Sequence, residues 1–270
     1  MRIDPGVKQR YENSDEDARL WQPGVGTLVR LRTWDILERM LPPQGRVLDV
    51  GGGPGAHAAW LARRGYRVEM LDPIERHLEL ARARSAEQPD APFEVRRGVA
   101  AELNVEDGAV DAIVMLGPLY HLVDRAERIA ALEEARRALR PGGVLAGEMI
   151  TRHGWLLDAT LKERLDQPEM WETIEHSIAT GLSQPDADNL APGAFWAYFH
   201  RPSELAEELA EAGFEQISLH GVEGFGWLLG DLERRLEQPE GMLRALRACE
   251  SEPSLLGASA HAIGLAHKPR

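Results

Sequence analysis

Two aspartates and a cluster of glycines are the first residues of this chain that could do chemistry. Asp49 stands near the end of the apolar run 46–50, and Gly51, Gly52, Gly53 and Gly55 follow at once. Asp72 comes about 20 residues later, the spacing at which an acid meets ribose hydroxyls. Glycines let a backbone approach a ligand closely, and the N-terminus of the helix that follows favours an anion. The loop Gly51-Gly52-Gly53-Pro54-Gly55-Ala56 fits a dinucleotide, whose pyrophosphate is that anion. It also fits a nucleoside ligand that carries a carboxylate and a free ammonium. Asp49 is awkward beside a pyrophosphate and useful beside an ammonium.

These residues need a strand before the glycines and a helix after them. "RVLDV" (46–50) and "AHAAWLARRG" (56–65), with Gly65 as a helix stop, supply both. Strand and helix patterns then alternate: strands at 66–71, 93–98, 109–116 and 144–150, helices at 73–86 and 124–140. Pro73 suits the first helical position, Asp124 can cap the next helix with Glu127 completing a capping box, and Pro141-Gly142-Gly143 ends it. Strands separated by helices imply crossovers and a parallel, doubly wound α/β sheet. After a helix at 202–214, the segments 215–222 and 259–267 read as two closing strands. Residues 25–41 carry helical spacing at Leu28, Leu31, Ile36, Leu37 and Met40, as expected of a helix packed on the sheet. The expected organisation is an N-terminal helical cap (1–43) and a main domain (44–270) with inserts at 151–200 and 223–257.

With "VLDVGGGPGAHA", "VEMLD", "FEVRRGVAAEL", "AVDAIVMLGPLYHL" and "ARRALRPGGVLAGEMI" in this order, the sequence resembles the class I S-adenosylmethionine (SAM)-dependent methyltransferases over roughly 44–150, with the closing helix and strands after 200. The resemblance implies a Rossmann-like methyltransferase fold, a seven-stranded, mostly parallel sheet whose last strand is antiparallel. It implies SAM as cofactor and S-adenosylhomocysteine (SAH) as product. Asp49 would bind the methionine amino group, Gly51 and Gly53 would lie against the cofactor, and Asp72 would bridge the ribose hydroxyls. Pro73 or Ile74 would face adenine, Ala100 and Ala101 its edge, and Leu116 and Gly117 the methionine side. One step departs from the pattern. Many relatives carry an acid in a Gly-Asp-Ala step after strand three, where this chain has Gly98-Val99-Ala100, so backbone or Glu102 must replace that bond.

Methyl transfer from a sulfonium gains from proximity and orientation, and an oxygen nucleophile often needs a base. Candidates belong at the carboxyl ends of the strands. "GPLYHL" places Tyr120 and His121 there, and "TRHGW" places Arg152, His153 and Trp155. His121, Tyr120 and His153 are the candidates for catalysis; Arg152, Trp155, Trp196 and His200 are the candidates for substrate contact. His57 and His77 read as structural or exposed. Nine of the chain's 16 Trp, Tyr and Phe residues fall between Trp155 and Trp227, so the 151–200 insert is expected to form a substrate cap or its own small core. "DADN" (186–189) lacks the glycine and distal glutamate of a calcium loop.

Composition narrows the classes. The net charge of −13 argues against a phosphate-backbone partner and leaves a neutral or cationic small substrate open. No apolar run reaches the roughly 20 residues of a membrane span. Cys249 is the single cysteine, so no internal disulfide or CxxC zinc site is expected. No metal is expected, the location is expected to be cytoplasmic, and the oligomeric state is left open. The leading reading is methyl transfer to O, N or C of a small organic molecule. A non-catalytic SAM-binding regulator and a nicotinamide-dependent oxidoreductase stand beside it.

Overall fold

The computed structural model describes residues 5–183 and 195–270, so the 186–189 stretch lies outside the described residues. The strands are β1 (Arg46–Val50), β2 (Arg67–Asp72), β3 (Glu94–Arg97), β4 (Val110–Met115), β5 (Leu139–Thr151), β6 (Leu182–Ser183), β7 (Ala197–His200), β8 (Glu215–Gly221) and β9 (His261–His267). β3, β2, β1, β4 and β5 are neighbours in that order and run parallel. β9 lies antiparallel between β5 and β8. These seven strands are the expected ones, with β9 as the antiparallel member. The insert adds β7, which pairs with the end of β5 through Ile150 and Thr151, and β6, which pairs with β7.

Burial explains the pattern. Val47, Leu48 and Val50 of β1 and Ala112 to Met115 of β4 are shielded on both faces, so these strands read as continuous apolar runs. One face packs under helices Ala56–Arg63 and Glu75–Ala86, with Ile36 and Leu37 of helix Val25–Met40. The other packs under helices Arg125–Ala138 and Pro202–Glu211. Asp124 caps the first of these, accepting from the Ala126 N–H at 2.8 Å. The helix expected from Pro73 begins instead at Glu75, because Asp72 turns the chain by accepting from the Ile74 N–H at 2.8 Å.

The N-terminal region holds helices Pro5–Asn13, Glu16–Arg19 and Val25–Met40. Arg32 of the last is fully buried and reaches the Val222 carbonyl at 3.1 Å and the Glu250 carboxylate at 2.6 Å. It thereby pins this helix to the 223–257 insert, which is mostly short helices. The 151–200 insert contains helices Gly154–Leu161 and Pro168–Thr180. Trp155, Ala159, Met170, Ile174 and Phe199 form its own core with Tyr120 and Ile150.

Candidate functional site

The strand order reverses between β1 and β4, and a cavity of about 520 Å³ opens beyond their carboxyl ends. All ten residues expected at the cofactor line it: Asp49, Gly51, Gly53, Asp72, Pro73, Ile74, Ala100, Ala101, Leu116 and Gly117. Gly51 has φ +68°, and a Cβ there would lie 2.6 Å from the Pro118 ring, so only glycine fits. Gly53, at φ +56°, has nothing within 4 Å of where its Cβ would stand, which leaves room for a ligand against the backbone. Gly98, Val99, Ala100 and Ala101 form one wall, whereas exposed Glu102 does not, so backbone occupies the place of the missing acid.

The two aspartates differ. Asp72 is satisfied within the protein: it accepts from the Gly53 N–H at 2.9 Å and the Ile74 N–H at 2.8 Å, and contacts His77 Nδ1 at 3.1 Å. Asp49 is buried with one carboxylate oxygen, Oδ2, lacking any hydrogen-bond partner among the described residues. Burial, with Asp72 nearby, pushes its carboxyl up to about 7 against the Ala58 N–H. A buried orphan oxygen beside a glycine loop fits a ligand ammonium, which would satisfy the oxygen and restore its charge.

Tyr120 and His121 also line the cavity. His121 Nδ1 lies 2.9 Å from the Trp196 carbonyl, which can only accept, so Nδ1 carries the proton. Nε2 then accepts from the Tyr11 hydroxyl at 2.7 Å. Burial holds this imidazole down to about 4, hence neutral near pH 7, and pushes the Tyr11 phenol up.

The remaining expected positions fall elsewhere. His153 is exposed outside the cavity. Arg152 is spent on structure, donating to the Phe199 carbonyl at 2.7 Å and the Glu204 carboxylate at 2.6 Å. Trp155 is in the insert core with its Nε1 on the Ser183 hydroxyl at 3.0 Å. His200 is fully buried 3.3 Å from Glu208. Trp196 meets the site only through its carbonyl. Each substrate candidate thus lies off the cavity wall, because the insert folds around its own core and consumes its polar groups.

Other residues enter the wall. His57 and His77, read as structural or exposed, both line the cavity. The Trp34 indole donates to His57 Nδ1 at 3.2 Å, and burial with Arg19 and Arg84 holds that ring down to about 3. Five residues after Asp72, His77 stacks edge-on against Tyr11 with centroids 5.3 Å apart. Val7, Tyr11, Glu16, Asp17, Arg19 and Leu20 bring the N-terminal helices over the opening. Arg84 fastens them there, meeting Asp17 at 2.5 Å and the Pro54 carbonyl of the glycine loop at 2.9 Å. Tyr11 and Trp21 are the aromatics of the sequence that could close over the cofactor; Tyr11 lines the cavity and Trp21 is exposed outside it.

Comparison with known proteins agrees with this geometry. Residues 47–143 match the methyltransferase domain family. A methyltransferase of Mycobacterium tuberculosis is 32% identical over 154 residues, covering 52% of this chain and 60% of the relative, so the chain spans about 60% of that relative's length. The tRNA 5-carboxymethoxyuridine methyltransferase of Escherichia coli is 27% identical over 256 residues, covering 91% of this chain and 90% of the relative. A SAM-dependent methyltransferase structure from Thermotoga maritima superposes with a TM-score of 0.57 at 20% identity, covering 96% of this chain and 97% of the other. With the strand order, the glycine loop and the two aspartates already in place, the match identifies residues 47–143 as a methyltransferase domain, and the chain shares the fold of the SAM-dependent methyltransferase it superposes on.

Proposed function

We propose that this protein transfers the methyl group of SAM to a nitrogen or oxygen, or a carbon, of a small organic acceptor. The observation that carries this reading is Asp49: a buried carboxylate with an unpartnered oxygen on the wall of a cavity at the strand-order reversal. In this reading Asp49 holds the amino group, Asp72 the ribose hydroxyls, Pro73 and Ile74 the adenine face, and Gly51 and Gly53 give backbone access. Ala100, Ala101, Leu116 and Gly117 complete the pocket. When bound, SAM supplies an electrophilic methyl on a cationic sulfur. The chain's own contribution is to orient the acceptor and exclude water.

His121 is a positioning group in this account. Its Nε2 is already taken by Tyr11, and a ring held near 4 is a weak proton acceptor at neutral pH. It fixes the Tyr11 phenol across the cavity, where Tyr11 and Tyr120 shape the acceptor space. Parallel calorimetric titration with SAM, SAH and NADH tests the cofactor. Binding of SAM and SAH without NADH is expected; binding of NADH alone would overturn the reading.

The coverage of the E. coli tRNA methyltransferase, 91% of this chain, supports a second reading in which the acceptor is a modified nucleoside in RNA. The charge of −13 weighs against it, because RNA binding draws on basic surface. Transfer of radiolabelled methyl from SAM separates the two. Label in a small-molecule extract supports the first; label only in added tRNA supports the second.

A further inference from the structure

The helix Arg125–Ala138 opens with an acid that does not do what its position allows. Glu127 is the third residue after the cap Asp124, where a glutamate can turn back onto the cap's backbone N–H. Glu204 does so at the same position of helix Pro202–Glu211, accepting from the Arg201 N–H at 2.8 Å. The capping box expected at Glu127 is absent. Among the described residues its carboxylate has neither a hydrogen bond nor an ion pair, and it lines the cavity.

Five acidic side chains line the cavity: Glu16, Asp17, Asp49, Asp72 and Glu127. Glu16 pairs with Arg19, Asp17 with Arg84, and Asp72 with the Gly53 and Ile74 N–H groups. Asp49 has the ammonium as its expected partner. Glu127 is the acid left with both oxygens free among the described residues. Its place follows from the helix. Positions 127, 131 and 134 recur on one face. On that face Ala131 is fully buried in the same core as Ala100 and Leu103, and Glu134 accepts from the Leu103 N–H at 2.9 Å. From that bond the helix climbs about 10 Å over seven residues to Glu127. The chain from Leu103 back to Ala101 and Ala100 climbs beside it to the same cavity wall. A helical side chain leans towards the helix N-terminus, which here is the cavity end.

We propose that Glu127 accepts a hydrogen bond from the exocyclic amine of the SAM adenine, doing from a distant helix what the acid missing at Val99 would do. The inference rests on the methyl-transfer reading, in which Ala100 and Ala101 border the adenine edge. It adds the residue that selects a 6-amino purine. That amine brings two N–H donors into the pocket, and a donor enclosed without an acceptor costs affinity. The Val99 side chain offers no acceptor, and the Val99 carbonyl is taken by the Glu102 N–H at 3.1 Å. Glu102 itself is exposed off the wall. An ionised carboxylate only accepts. It therefore favours an amine at position 6 of a purine and repels a carbonyl there.

Calorimetry on the full chain tests this with SAH and S-inosylhomocysteine. The two carry the same net charge and differ at the purine edge, where the second has a carbonyl at position 6 and an N–H at position 1. The wild-type protein is expected to bind SAH at least about tenfold more tightly. Glu127→Ala is expected to weaken SAH about five- to tenfold and to leave S-inosylhomocysteine within about twofold, so the preference collapses. Glu127→Gln, whose amide can accept from the amine or donate to the carbonyl, should bring the two ligands within about threefold of each other. Urea midpoints without ligand should match across the three proteins, because Glu127 holds nothing in the fold. Failure of the wild-type protein to bind SAH would overturn the methyl-transfer reading, and this inference with it. SAH binding without preference over S-inosylhomocysteine, or with a preference that Glu127→Ala leaves unchanged, overturns the inference alone.

Discussion

The glycine loop and the 151–200 insert both contain residue types that do chemistry, and the structure treats them in opposite ways. Around the loop, Asp49 keeps an unpartnered oxygen and Gly53 keeps open space. In the insert the polar groups are nearly saturated: Arg152 donates to Phe199 and Glu204, Trp155 to Ser183, and His200 meets Glu208. A buried polar group left unsatisfied costs stability; Asp49 Oδ2 lies on the cavity wall, where a ligand can repay that cost, whereas the unpartnered His200 Nδ1 lies off it. The contrast separates a binding region from a supporting one more sharply than residue type does.

The largest effect is expected on the supporting side. Glu208 accepts from Arg128 Nη2 at 2.7 Å and sits 3.3 Å from His200; burial would raise its carboxyl, but these two partners bring it down to about 2. Glu208→Ala leaves Arg128 buried with its charge unpaired and is expected to cost about 3–5 kcal/mol in urea unfolding. SAH affinity, measured at a temperature where the variant is folded, should stay within about twofold. A large loss of affinity with little loss of stability would erase the distinction between the regions.

Asp49→Asn should do the reverse. SAH affinity is expected to fall about 10- to 100-fold in calorimetry, the worth of a charge-assisted bond in a buried site. Stability without ligand should hold or rise, because a desolvated carboxyl has been removed. Unchanged affinity would take Asp49 out of the cofactor site.

The third effect is read as a slope. Asp49 is raised to about 7 in the folded protein, above its unfolded value of about 3.9. Between those values the folded state holds the extra proton, so this group lowers stability as pH rises from about 4 to about 7. Asp49→Asn should remove that contribution, up to about 1.4 kcal/mol per pH unit, from urea midpoints collected across the window. Identical pH profiles for the two proteins would mean that Asp49 is not desolvated as described.

The sequence alone was enough for the alternation of β1 to β5 with their helices, the antiparallel closing strand and the ten residues around the glycine loop. Those features are local: an apolar run shielded on two faces, a turn only glycine can make at Gly51, an acid a fixed distance along the chain. The two additional strands β6 and β7, the lid built by Tyr11 and Arg19, and the places of His57 and His77 came only with the tertiary structure. So did the fate of Arg152, Trp155 and His200, whose residue types suit a site and whose partners make them structural. Whether a polar side chain serves a ligand or the fold depends on which distant groups pack against it.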